Sequence, residues 1–284
     1  MASGRSYVIS DMAVALAPTQ LSPTDRKALT LAVKNLEKQN FAARIADHAG
    51  VPVNRVLGLL PKIASDQLAS LARTAIMNGL DVAIDTLDDE PPPMPATWFS
   101  SFVAGVTGGV GGLFGIAALP FELPLTTTLM LRAIAEIARH EGEDLSKIEA
   151  RLACLEVFAF GAKRSDEKLD VGYYAARALL SKYTSDIAAF AVERGAVDVS
   201  APVVTGLVSE IASRFGLVVS DKVAAGALPI LGAVGGATVN VLFMDHFQRI
   251  AQGHFALRRL ERTYGAAHIR QRYAELVALP QAVG

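Results

Sequence analysis

Thiols are nearly missing from this chain: Cys154 is its one cysteine. An internal disulfide framework is therefore excluded, and the count fits a reducing compartment. Aromatic residues make up only 7% and charged residues 19%, against about 25% charged in an average soluble domain. The formal net charge is −1, so no strong field of either sign recruits nucleic acid. Common catalytic motifs are absent as well. No G-x-S-x-G surrounds a nucleophilic serine, no G-x-x-x-x-G-K-[ST] cradles phosphates, and no H-E-x-x-H offers a catalytic metal site. No segment alternates apolar and polar residues with the β-branched enrichment of a strand. The N-terminal MASGRSYVISDMAVALAPTQ has one arginine and a short apolar run broken by Asp11, which does not make a signal peptide. The expectation is a cytoplasmic protein with no cofactor, no metal and no nucleic-acid partner.

What the chain does have is apolar mass and glycine. Hydrophobic residues reach 51% of its 284 positions, and the mean hydropathy is +0.34. Two stretches dominate. From Thr97 to Phe121 no residue is charged, and Gly105, Gly108, Gly109, Gly111, Gly112 and Gly115 give three overlapping G-x-x-x-G pairs. Each glycine costs a helix roughly 0.8–1 kcal/mol relative to alanine. Close backbone approach is the compensation that only glycine permits. The second stretch, Val223 to Met244, is 22 uncharged residues flanked by Lys222 and Asp245, with Gly232, Gly235 and Gly236 inside it. Both are long enough to meet the roughly 20 residues of a membrane span. Glycine, alanine and proline leave three outcomes open: a packed soluble core, a re-entrant or peripheral membrane contact, or a span.

Elsewhere the pattern is helical throughout. Residues 1–22 form a loose lead-in. Ser22-Pro23-Thr24-Asp25 starts a helix that runs through Lys38, and residues 23–90 make an N-terminal helical lobe. Pro91-Pro92-Pro93-Met94-Pro95, within 91–97, is a rigid connector. Residues 98–275 form the main helical region. Helices are expected from Leu125 to His140, stopped by Gly142, from Leu145 to Phe160, and from Tyr173 to Arg194. The prediction is an all-α, multi-helix bundle built around two Gly/Ala-rich apolar helices, 98–121 and 223–244.

Candidate chemistry is thin. Glu136 and His140 stand four apart on one helix, and Asp245 and His246, with His254 beyond them, follow the second glycine stretch. Facing helices could assemble an acid/His site from Glu136, His140, Asp245 and His246. Their spacing also fits a plain helix-surface pair, with His140 favoured near a C-terminus. Cys154 among Leu152, Ala153 and Leu155 reads as a buried, inert thiol. Glu122, Arg132, Asn240 and Asp245 are the polar residues nearest the apolar stretches, and Glu122, Arg132, Asn240 and Arg249 are the candidates for ligand or lipid contact. Gly105, Gly108, Gly109, Gly112, Gly115, Gly232 and Gly236 are candidates for helix packing.

Three ordered blocks carry a family resemblance over roughly residues 25–275. They are Gly112-Leu113-Phe114-Gly115 through Ala118-Leu119-Pro120-Phe121-Glu122-Leu123-Pro124 and Arg132-Ala133-Ile134-Ala135-Glu136; Phe158-Ala159-Phe160-Gly161 with Gly172-Tyr173-Tyr174-Ala175-Ala176-Arg177; and Leu228-Pro229-Ile230-Leu231-Gly232-Ala233-Val234-Gly235-Gly236. The set resembles the EcsC family. That family takes its name from the third member of a bacterial operon that also encodes an ABC transporter's ATPase and membrane subunits. The resemblance implies a bacterial setting and membrane association, and brings no catalytic residues.

The leading expectation is a membrane-associated, non-enzymatic accessory protein at the inner face of a bacterial membrane, peripheral or re-entrant. Its partners would be lipid or a membrane transporter. The alternatives are a soluble helical hydrolase or metal-dependent enzyme using the acid/His set, and an oligomeric scaffold joined through G-x-x-x-G faces.

Overall fold

The computed structural model describes residues 20–37, 40–54, 65–85, 119–162, 172–195, 197–198, 200–226 and 232–279. Among them lie nine helices and no strand, an all-α bundle. Helix α1 spans Pro23–Glu37. Ser22 starts it as expected: its hydroxyl accepts the Asp25 N–H at 3.0 Å and donates to the Asp25 carboxylate at 2.8 Å. Helix α2, Phe41–Ala49, is capped by the Asn40 side chain and ends at Gly50, whose φ of 64° is the left-handed turn that glycine adopts freely. Helix α3 spans Ser65–Asp85.

Helix α4, Leu119–His140, starts earlier than the proline-bracketed Leu-Pro-Phe-Glu-Leu-Pro predicts and runs straight through it. Pro120 occupies the first turn, where no amide donor is needed. Pro124 removes only the bond that would reach the carbonyl of residue 120. Gly142, at φ 79°, follows the helix end. Helices α5 (Ile148–Phe160) and α6 (Tyr173–Arg194) follow. Then come α7 (Pro202–Gly226), α8 (Gly232–Tyr264) and α9 (Ala266–Ala278). The uncharged stretch 223–244 thus supplies the last turn of α7 and the first part of α8.

Helix α5 lies at the centre of the bundle. Ten of its thirteen residues are buried, and they point in every direction. Such an all-round apolar helix is stable only when surrounded, and α3, α4, α6, α7 and α8 surround it. Phe158 meets Phe215 of α7 at 5.1 Å and Phe247 of α8 at 5.3 Å, in edge and tilted ring contacts. Helices before and after the Pro-rich connector contribute to one continuous core. The contact between α1 and α8 is tight enough that a Cβ at Gly253 would sit 2.9 Å from Leu36 Cγ and 3.2 Å from the Ala32 carbonyl oxygen.

Candidate functional site

The charges that bound the two uncharged stretches meet in space. Glu122 follows the first stretch, at the start of α4; Lys222 precedes the second, near the end of α7. Lys222 Nζ donates to Glu122 Oε1 at 2.6 Å, with the lysine side chain 6% exposed. Its ammonium also lies 4.9 Å from the centre of the Phe243 ring, a cation–π contact with α8. Phe243 packs edge-on against Phe41 of α2 at 5.5 Å. One turn beyond Phe41 on α2, Arg44 pairs with Asp245 of α8, which also accepts from Arg249 Nε at 2.8 Å. Burial pushes the Asp245 carboxyl up, but its bonds from Arg249 and Arg44 outweigh this and hold it below the usual carboxylate range.

This collar of paired charges borders the uncharged ends of α4 (119–121), α7 (223–226) and α8 (232–244). Large apolar side chains remain bare beside it: Phe121 is 83% exposed, Leu125 50% and Val241 41%. Phe121 and Leu125 are four apart on α4 and so share a face. Behind the collar, His246 is fully buried and donates from Nε2 to the Gly161 carbonyl at 3.0 Å. Burial depresses its pKa to about 4, so the ring is neutral near pH 7 and Nδ1 is left as an acceptor. A Cβ at Gly161 would fall 2.9 Å from His246 Nε2, so only glycine leaves room for this bond.

The four acid/His candidates occupy unlike environments. Glu136 is exposed on α4 and bonded to Arg139 at 2.5 Å, and His140 is exposed one turn on. Asp245 belongs to the arginine collar, and His246 is sealed in the core. No hydrogen bond or ion pair among the described residues joins the two sets, and none of these residues groups three metal-binding side chains together. Arg132 and Asn240 are half-buried on α4 and α8. Gly105, Gly108, Gly109, Gly112 and Gly115 lie outside the described residues, while Gly232 and Gly236 lie in the first turns of α8. Burial pushes the Cys154 thiol strongly up, as suits an inert core residue.

Sequence reasoning passed over a buried polar layer at the far side of α5. Glu156, 4% exposed, is the one charged side chain buried on that helix. Burial raises its pKa to about 7, against the opposing fields of Arg258 and Arg177 and a hydrogen bond from Thr184. Nearby, Tyr173 Oη shares a 2.8 Å hydrogen bond with His254 Nδ1, and Arg177 pairs with Glu261 at 2.8 Å. Arg258 grips Glu143 with two bonds of 2.8 and 2.9 Å. An open cleft of about 430 Å³ lies above this layer, between the Gly142–Ala150 turn and α6 and α8. Its three arginines, Arg177, Arg258 and Arg262, are each already paired with a carboxylate. The available signal was a lone glutamate inside Leu-Ala-Cys-Leu-Glu-Val-Phe-Ala-Phe.

Compared with known protein families, residues 82–260 match the EcsC protein family. The chain belongs to the EcsC family. The matched region takes in Glu122, Lys222, Asp245 and Arg249 of the collar, and Glu156 of the buried layer, while Arg44 lies before it. No curated protein and no solved structure matches this EcsC-family chain.

Proposed function

We propose that this EcsC-family protein is a non-enzymatic accessory factor that binds a membrane surface through its uncharged end. The carrying observation is the contrast at the collar. Glu122 and Lys222 neutralise each other inside the protein, while Phe121 beside them is left 83% exposed. Charge facing hydrocarbon is costly, and an internal pair removes that cost at the residues that border the two uncharged stretches in the chain. Phe121, Leu125 and Val241 then enter the boundary between headgroups and acyl chains, as apolar faces of interfacial helices do, to a depth of roughly 5–10 Å.

One helix among the described residues, Pro202–Ala225 in α7, is long and apolar enough to cross a membrane. Half of its most apolar window is buried inside the bundle, and Arg214, Asp221 and Lys222 on it are buried too. We therefore assign α7 to the protein core and the membrane contact to the uncharged end. The proposed location is the cytoplasmic face of a bacterial membrane, in peripheral or re-entrant contact. A membrane transporter is the protein partner that the family's operon suggests.

Fractionation and flotation test this reading. The chain is expected in the membrane fraction and to float with phospholipid vesicles. Replacing Phe121 and Leu125 together by Asp should return it to the soluble fraction. Recovery of the unaltered chain entirely in the soluble fraction, or unchanged flotation of the double variant, overturns it.

A further inference from the structure

We infer that Arg44 and Arg249 form a seat for one phosphodiester monoanion, supplied by the headgroup of an anionic phospholipid. This rests on the membrane reading above and adds a lipid class to it. Arg44 on α2 and Arg249 on α8 both direct a guanidinium to the same carboxylate oxygen, Asp245 Oδ2. Two cations and one anion leave a net charge of +1, which a single phosphodiester neutralises.

Accessible donor capacity remains on Arg249, while Arg44 adds its charge to the seat. Arg44 is 16% exposed, and its Nη1 is buried with no hydrogen-bond partner among the described residues. An N–H of a guanidinium is a strong donor that is costly to leave unmade. Arg249 is 43% exposed and bonds Asp245 through Nε alone, so its outer nitrogens make no hydrogen bond among the described residues. The guanidinium fork matches the paired oxygens of a phosphate better than an ammonium does.

The position suits a headgroup. Val241, Asp245 and Arg249 follow one another at four-residue intervals, on one face of α8. At 1.5 Å per residue, Arg249 stands about 12 Å along the axis from Val241, and Asp245 about 6 Å. With Val241 at the acyl boundary, the arginines stand at the level of the phosphates. A zwitterionic lipid would bring its own cation against Arg249; an anionic lipid would not.

The test is flotation of the full chain with vesicles of phosphatidylcholine alone and of phosphatidylcholine mixed with phosphatidylglycerol, at fixed salt. The unaltered chain should bind both and prefer the mixed vesicles by about fivefold, the effect of one net positive charge at an anionic surface. Arg249→Gln, at an exposed position, and Arg44→Gln should each lose that preference while binding phosphatidylcholine as before, with unchanged melting temperature for Arg249→Gln. Equal binding of the unaltered chain to both vesicles, or a preference that survives both substitutions, overturns the lipid seat and leaves the membrane reading standing. Binding to neither vesicle overturns the membrane reading itself. Calorimetric binding of soluble glycerol 3-phosphate as tight as that of the mixed vesicles makes this a site for a free phosphate ester and overturns the lipid assignment.

Discussion

Lys222 reaches Glu122 across one hundred residues of chain, with 2.6 Å between Nζ and Oε1. The pair ties the end of α7 to the start of α4, at the level where both helices give way to uncharged sequence. A buried ion pair of this kind is expensive to break from one side and much cheaper to replace whole. Glu122→Gln alone should leave an ammonium buried without its counter-charge and destabilise the fold by about 3 kcal/mol. Glu122→Gln with Lys222→Met should recover most of that loss. Urea unfolding of the two variants measures it, and equal midpoints for the single and double variants would contradict the pairing.

Gly253 lets α8 pack close against α1. Gly253→Ala gains helix propensity but drives Cβ to 2.9 Å from Leu36 and 3.2 Å from the Ala32 carbonyl oxygen. Leu36 can turn aside; the carbonyl is backbone and cannot. Overpacking of this kind typically costs about 1–3 kcal/mol, against a propensity gain of roughly 1 kcal/mol. The net expectation is a lower thermal midpoint. Gly253→Ser, of nearly the same width, should behave alike.

The buried Glu156 sets a pH dependence of its own. Its pKa rises from 4.5 to about 7 on folding, so between those values the folded chain holds a proton that the unfolded chain has released. By linkage its contribution to stability therefore falls as pH rises from 4.5 to about 7 and is flat above. Glu156→Gln removes this loss. The variant should match the natural chain near pH 4.5 and exceed it by on the order of 2–3 kcal/mol above about pH 7. Urea midpoints across this range decide it; a constant difference at all pH values would remove Glu156 from the account.

His246 and His254 act in the opposite sense. Burial depresses His246 from 6.5 to about 4 and His254 well below 6.5. The unfolded chain then binds protons that the folded chain refuses, so stability is lost as pH falls from 6.5 toward 4. Two histidines outweigh one glutamate in the overlapping window. In the Glu156→Gln background, where the opposing group is gone, the acid-side loss should steepen from a higher starting stability near pH 7, and the pH at which half the chain is unfolded should not rise.

Cys154 should stay silent toward thiol reagents. Complete burial and a thiol pKa pushed far up leave almost no thiolate at neutral pH. Labelling with a maleimide is expected only on the timescale of global unfolding, and rapid labelling of the folded chain would contradict the packing around α5.

Much of the helical framework was legible in the chain. Ser22-Pro23 starts α1, Tyr173 and Arg194 bound α6, and Gly142 follows the end of α4, because caps and breakers act on their own turn. Pro120 and Pro124 misled for the same local reason. A proline is counted as a breaker from sequence, yet at a helix start it breaks almost nothing. Glu156 was passed over because an apolar period says which residues face inward without saying that one of them carries a charge. The candidate site was legible in part. Glu122 stands out by its distance from other charges, whereas Arg249, Arg44 and Lys222 look like ordinary helix-surface cations.

By itself, then, the sequence determined an all-helical chain with two long uncharged stretches, since periodicity, capping and the absence of charge are properties of neighbours along the chain. Tertiary structure alone decided which charges meet. Glu122 finds Lys222, and Arg44 finds Asp245 from 201 residues away. Such partners depend on how each helix is rotated and how deeply it is set against the others. That is fixed by contacts such as Gly253 on Leu36 and Phe158 on Phe215, and no spacing within a single helix encodes it.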